Sequence, residues 1–174
     1  MELSPTHNLY KMIIRLAKMD DLPAIVDIYN QSIPSKQATG DTQPVSVESR
    51  LAWFHEHRPD EHPIFVAEVD GQIAGWCSLS AYRPGRAALR FTAEISYYIA
   101  YAYHRQGIAT ALVKYALAAC PGVGIKHLFA ILLEGNQASV NLLEKMGFER
   151  WGYMPRVADF DGKEVGHLYY GWHV

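Results

Sequence analysis

Residues 90–115 read Arg-Phe-Thr-Ala-Glu-Ile-Ser-Tyr-Tyr-Ile-Ala-Tyr-Ala-Tyr-His-Arg-Gln-Gly-Ile-Ala-Thr-Ala-Leu-Val-Lys-Tyr, and their period changes half-way. From Phe91 to Ala100 the stretch is dense in aromatic and β-branched residues, which suit a pleated, largely buried surface, so it predicts a central strand. From Ile108 the apolar residues Ala111, Leu112, Tyr115, Ala116 and Ala119 fall three and four apart, the signature of one helix face. Between the two lie His104, Arg105, Gln106, Gly107, Ile108, Ala109 and Thr110. Gly107 permits a tight turn, and Ala109 leaves room for a ligand to approach the main chain. Free N–H groups at the start of a helix, reinforced by its dipole, make such a loop a place for an anion such as a phosphate. The GxxxxGK[ST] and GxGxxG signatures are both missing, which argues against a nucleotide-triphosphatase or a Rossmann site.

Working outward, Ile64 to Val69 and Gln72 to Ser80 are strand-like runs on either side of Asp70-Gly71, a hairpin signal. Earlier, Met12 to Leu16 predicts a strand. A helix then follows, capped by Asp20, with Pro23 in its first turn and Leu22, Ile25, Val26 and Tyr29 on its apolar face. Ser32 to Pro44 reads as a loop, and Ser46 as the cap of a second helix carrying Leu51, Trp53 and Phe54. Beyond the central helix, Pro121-Gly122-Val123-Gly124 is a stop signal and Leu128 to Leu133 another strand. Asn136 to Met146 is a helix ended by Gly147, and the strands Glu149 to Met154 and Glu164 to Trp172 are joined by a turn at Asp161-Gly162. The order β-α-α-β-β-β-α-β-α-β-β predicts a mixed α/β domain with one parallel crossover in its middle. Residues 1–11 have no period and read as a leader, with the domain at 12–174.

With 174 residues, 49% of them hydrophobic, the chain suits one compact domain. A net charge of −2 gives no basic excess for nucleic acid, no run is long enough to cross a membrane, and there is no signal-peptide pattern. A cytoplasmic protein is expected. Cys77 and Cys120 are too few for a disulfide framework, and Cys77, inside a strand, reads as a small core residue. Of the eight histidines, His55 and His57 sit two apart on a predicted helix and point away from each other. No metal site is expected.

The loop at 104–109 resembles the pyrophosphate-binding motif Q/R-x-x-G-x-G/A of the GNAT superfamily of acetyl-CoA-dependent N-acetyltransferases, with His104 in place of the leading Gln or Arg. Further stretches resemble the phosphinothricin and methionine sulfone/sulfoximine N-acetyltransferases within it: Ile28-Tyr29-Asn30, Thr42-Gln43-Pro44-Val45-Ser46, Tyr82-Arg83-Pro84, Arg90-Phe91-Thr92-Ala93-Glu94, and Asn136 to Ser139 through Glu144 to Phe148. The resemblance implies a GNAT fold with a mixed, mostly antiparallel sheet of about seven strands, about four helices and splayed central strands.

It also implies roles. Glu94 would be the base that takes a proton from the acceptor amine, which at neutral pH is mostly protonated. The main chain of Tyr97, Tyr98 and Ile99 would hold the pantetheine arm and the thioester carbonyl of acetyl-CoA. Arg105, Gln106, Gly107, Ile108, Ala109 and Thr110 would hold the pyrophosphate through backbone N–H groups. Asn136 would bond the pantetheine amide, with Ser139 and Lys145 near the outer cofactor; Asn136 also reads as an ordinary helix cap. Leu143 stands where many relatives carry a tyrosine that protonates the departing thiolate, and leucine has no proton to give.

Arg83 and Arg90 offer forks for a carboxylate or phosphinate, and 33–42 would form another wall of the acceptor site. The function implied is acetyl transfer to the amine of a small amino-acid-like molecule by direct attack in a ternary complex. An acyl-CoA-binding sensor without turnover, or a transferase for another amine or a protein N-terminus, is the alternative. A homodimer is implied, through strands and loops near the C-terminal end, where Trp151, Tyr153, Tyr169, Tyr170 and Trp172 supply aromatic surface for that or for the core.

Overall fold

In the computed structural model, which describes residues 11–174, the strands and helices follow the expected order. The strands are β1 (Met12–Leu16), β2 (Ile64–Val69), β3 (Gln72–Ala81), β4 (Thr92–Ile99), β5 (His127–Leu133), β6 (Glu149–Phe160) and β7 (Lys163–His173). The helices are α1 (Leu22–Ser32), α2 (Val47–Glu56), α3 (Ile108–Ala119) and α4 (Gln137–Lys145). One seven-stranded sheet runs β1-β2-β3-β4-β5-β7-β6, and only the β4–β5 pairing is parallel. The leader expected at 1–11 lies outside the described residues except for Lys11.

The two sheet faces carry separate cores. On one, α3 and α4 cover Ala93, Ile95, Leu128 and Ala130. On the other, α1 buries Ile25 and Ile28 against Val66 and Trp76, with Trp53 and Phe54 of α2 at the margin. Asp70 and Gly71 both have positive φ, at 48° and 82°, as a two-residue hairpin whose twist matches its strands requires. Ser46 caps α2, its hydroxyl accepting the Ser49 N–H at 3.1 Å.

Four local expectations are corrected. The residue at the start of α1 is Asp21, not Asp20: its carboxylate accepts the Lys18 N–H at 2.7 Å and is held by Arg15 at 2.7 Å. That pairing draws Asp21 inward and holds its carboxyl below the usual range. The buried stripe of α3 is Ile108, Leu112, Val113 and Ala116, turned from the one expected: Tyr115 meets Phe65 of β2 only with its ring edge-on and keeps 43% of its surface exposed. Leu51 of α2 is exposed rather than packed. Finally, β6 runs on to Phe160, past the expected end at Met154, because its irregular register with β7 absorbs the residues between Met154 and Ala158.

The feature that positions the site is a divergence. β4 pairs with β5 only over Thr92, Ala93 and Glu94, while both strands continue well beyond. From Ile95 to Ile99 one edge of β4 therefore has no strand beside it among the described residues.

Candidate active site

Backbone direction alternates along β4, and two bonds fix its phase. The carbonyl of Thr92 accepts from Tyr82 and the N–H of Ala100 donates to Ala74, so even-numbered residues bond towards β3. Odd-numbered residues therefore turn their N–H and C=O into the cleft left by β5. Among the three residues expected to offer main chain there, Tyr97 and Ile99 do so, whereas Tyr98 bonds to β3. The Ile99 carbonyl already accepts from His104 Nε2 at 2.9 Å, which gives the unexpected histidine of the loop a role in holding the turn.

The turn itself places Arg105 and Gly107 at positive φ, 62° and 80°, and α3 starts at the next residue. Gly107 has open space around its Cα, so its value is conformational. Cleft and turn share one groove of about 540 Å³, walled by Tyr97, Tyr98, Ile99, Arg105, Gly107, Ile108, Ala109, Thr110, Asn136 and Ser139. Gln106 and Lys145 do not line it. Gln106 Nε2 instead donates to the Ala102 carbonyl at 3.2 Å, and Lys145 sits in the last turn of α4. Asn136 caps α4, accepting the Ser139 N–H at 3.2 Å, and borders the groove as well. Opposite stand Ser32, Ser35, Gln37 and Ala38, which close the groove from the end of α1. The Tyr97 hydroxyl, on the groove wall beside Ser139, is buried and closes no hydrogen bond of normal geometry among the described residues; burial pushes its pKa up to about 12, with the nearby Ser139 hydroxyl opposing.

The even-numbered side chains of β4 face the other way, towards α1 and α2. There a cavity of about 170 Å³ is lined by Tyr29, Arg50, Trp53, Trp76, Ser78, Ser80, Ser96 and Tyr98, among others. Tyr98 belongs to both spaces, so the groove and the cavity meet at its ring. Below the cavity an open groove of about 950 Å³ holds Arg83 and Arg90. Both arginines are exposed; Arg90 lies over the Phe91 ring at 4.0 Å and donates to the Ala87 carbonyl at 2.8 Å.

Glu94 stands between cavity and lower groove. On its face of β4, Ser96 lines the first and Thr92 the second, and Ser80, directly opposite, lines both. The Glu94 carboxylate has no hydrogen-bond or ion-pair partner among the described residues, and burial raises its pKa.

Sequence reasoning missed Arg50, the one cation that lines the cavity among the described residues. Arg50 of α2 lies over the Tyr29 ring at 5.0 Å and bonds Asp41 at 3.2 Å, while Asp41 also accepts from the Tyr29 hydroxyl. No motif marks Arg50. The serines could have been found: Ser78 and Ser80 on β3, with Glu94 and Ser96 on β4, alternate in a shared phase and so meet on one face. His57, considered only as a metal ligand, instead holds Ser80 Oγ at 2.9 Å and the Trp53 carbonyl at 2.7 Å.

Residues 22–148 match the Acetyltransferase (GNAT) family model. The chain belongs to the GNAT acetyltransferase family. It is 42% identical over 153 residues to a Bacillus subtilis protein provisionally named phosphinothricin acetyltransferase YwnH, covering 87% of this chain and 93% of that one. It is 32% identical over 151 residues to an L-methionine sulfoximine/L-methionine sulfone acetyltransferase of Pseudomonas aeruginosa, covering 86% and 87%. Its fold superposes with TM-score 0.87 and 26% identity on a phosphinothricin acetyltransferase from Sinorhizobium meliloti in complex with AcCoA, covering 94% and 88%. This GNAT chain is an acetyltransferase, and enzymes of its family use acetyl-CoA.

Proposed function

We propose that this enzyme transfers acetyl from acetyl-CoA to the α-amine of a small amino-acid-like acceptor of the phosphinothricin, methionine sulfone or methionine sulfoximine type, by direct attack with Glu94 as base. The observation that carries the reading is the Glu94 carboxylate: half-buried, unpartnered among the described residues, and set on the strand that separates the groove at the loop from the cavity under α1 and α2. A structural glutamate would be paired or solvated.

Acetyl-CoA, when bound, brings an acetyl group activated as a thioester. The groove fits its arm and diphosphate: unpaired main chain at Tyr97, a positive-φ turn before a helix start, and an orphan hydroxyl at Tyr97 that a ligand's polar group would satisfy. The Tyr97 N–H, aimed into the cleft, suits the developing oxyanion. In the cavity, Arg50 keeps guanidinium N–H groups beyond its one bond to Asp41, enough for the acceptor's carboxylate. Ser78, Ser80 and Ser96 supply hydroxyls around the nitrogen, and Glu94 removes the ammonium proton so that the amine lone pair is free. A raised carboxylate is a better base for that transfer than an ordinary one. Arg83 and Arg90, in the lower groove, receive an acceptor's side chain rather than its backbone.

The reading is tested by thiol release from acetyl-CoA over a panel of phosphinothricin, methionine sulfone, methionine sulfoximine, common amino acids, polyamines and short peptides, with wild type and Glu94→Gln. Turnover confined to the amino-acid analogues and largely lost in the variant supports it; turnover on peptides or polyamines alone sinks it. Pairing of two chains through β6 rests on Trp151, Tyr153, Met154 and Val157, all exposed on that edge strand. Light scattering that gives the mass of one chain would contradict it.

A further inference from the structure

A base that takes one proton per turnover must give it away before the next. Glu94 has no bonded neighbour to take it, but its cross-strand partner does. Ser80 lies directly opposite Glu94 in the β3–β4 register, their Cβ atoms about 5 Å apart, a gap that one water or a carboxyl rotation closes. The Ser80 hydroxyl is held by His57 Nε2 at 2.9 Å. Which nitrogen carries the hydrogen follows from the other bond: His57 Nδ1 lies 2.7 Å from the Trp53 carbonyl, which can only accept. Nδ1 therefore carries hydrogen, and the Nε2 lone pair accepts from Ser80. The ring is tilted against Trp53, centroids 4.7 Å apart, and borders the lower groove.

We propose that His57, acting through Ser80, is a positioning residue for catalysis that returns Glu94 to its carboxylate form by passing its proton to the lower groove. This rests on the reading of Glu94 as base. The carboxyl proton moves to Ser80 Oγ as the Ser80 hydroxyl proton moves to His57 Nε2. Only O–H and N–H bonds change, leaving a carboxylate, a hydroxyl and an imidazolium. When the Ser80 hydroxyl turns away, Nε2–H gives its proton to solvent in the groove that both residues line, while Nδ1 keeps its hydrogen on the Trp53 carbonyl and the ring returns to its starting tautomer. Burial lowers the His57 pKa, against the bond to the Trp53 carbonyl and with His62 adding and Glu56 opposing, so the imidazolium sheds its proton more readily than a free one. The other charged groups lining its groove are Glu61, Arg83, Arg86 and Arg90, with Glu94 behind Ser80. A histidine that only tied α2 to β3 would need no such partner opposite Ser80.

Two readouts test this. The first is kcat against pH, from about 5 to 9, at saturating acetyl-CoA with an acceptor the wild type turns over. His57→Gln should lower kcat about tenfold with the acceptor KM within about twofold, and reduce the acid limb from two protonations to one. Added imidazole should restore rate to His57→Ala. The second needs no turnover: NMR titration of histidine side chains should show His57 as the Nδ1–H tautomer, with a midpoint that moves in Glu94→Gln. His57→Gln with unchanged kcat and an unchanged two-proton limb, or a His57 midpoint indifferent to Glu94→Gln, would overturn the relay. Should His57→Gln fail to fold, the titration of wild type against Glu94→Gln still decides. An enzyme that acetylates nothing on the panel would instead sink the assignment of function.

Discussion

The two ends of β4 are built from different materials. At the end near the loop, the groove is made of main chain: the unpaired edge of β4, a turn with positive φ and a helix start. Towards the middle of the same strand, the cavity is made of side chains: Arg50, Tyr29, three serines and Glu94 alongside. Backbone donors survive substitution, so a site made of them can hold a common cosubstrate through wide sequence drift. A site made of side chains changes with each replacement. The difference explains why a loop with His104 at its head can keep a positive-φ turn before a helix start, and why the acceptor must be read from individual residues.

The largest effect that would sharpen this division is Glu94→Gln. Removing the base should lower kcat by about 10²–10⁴ while leaving acetyl-CoA affinity within about twofold, measured by steady-state kinetics and calorimetry. Next is Gly107→Val. A β-branched residue at φ 80° strains the turn by about 1–2 kcal/mol, so acetyl-CoA affinity should fall about tenfold with the acceptor's KM unmoved. On the side-chain half, Arg50→Lys exchanges a fork for a point charge and should raise the acceptor KM about fivefold, leaving the acetyl-CoA KM alone. Gln106→Ala removes a loop side chain that only bonds Ala102, and both KM values should stay within about twofold; a larger change would break the contrast.

Stability tests the desolvation of Glu94 separately. Its pKa is raised in the folded chain, so the protonated form stabilises the fold below the ordinary carboxylate value, and that contribution is lost as pH rises through the folded value. At pH 7 the buried charge is a liability. Glu94→Gln should therefore raise the melting temperature by about 2 °C at neutral pH and not at pH below about 4, read by thermal circular dichroism.

Much of this was legible from period and punctuation. The switch at residue 107 located strand, turn and helix, and Asp70-Gly71 and Asp161-Gly162 placed both hairpins. Local signals failed where the deciding contact is distant. Asp21 rather than Asp20 turns inward because Arg15, on another element, pulls on it. Tyr115 meets Phe65 of β2 only edge-on and stays 43% exposed, a contact that no helix period records. In the site, the divergence of β4 from β5 was implied by resemblance alone, since a strand's sequence does not state where its neighbour leaves. Arg50 and His57 were invisible for a related reason. Their meaning comes from Tyr29, Asp41 and Ser80, which chain order scatters and the fold collects.

Acetyl-CoA binding and acetyl turnover, measured side by side for wild type, Glu94→Gln and Gly107→Val, test the division of β4 most directly. The division predicts that Glu94→Gln binds acetyl-CoA like wild type and scarcely turns it over, while Gly107→Val binds weakly and regains turnover at high acetyl-CoA. Loss of acetyl-CoA binding in Glu94→Gln equal to its loss of turnover, or full turnover without the carboxylate, would contradict it.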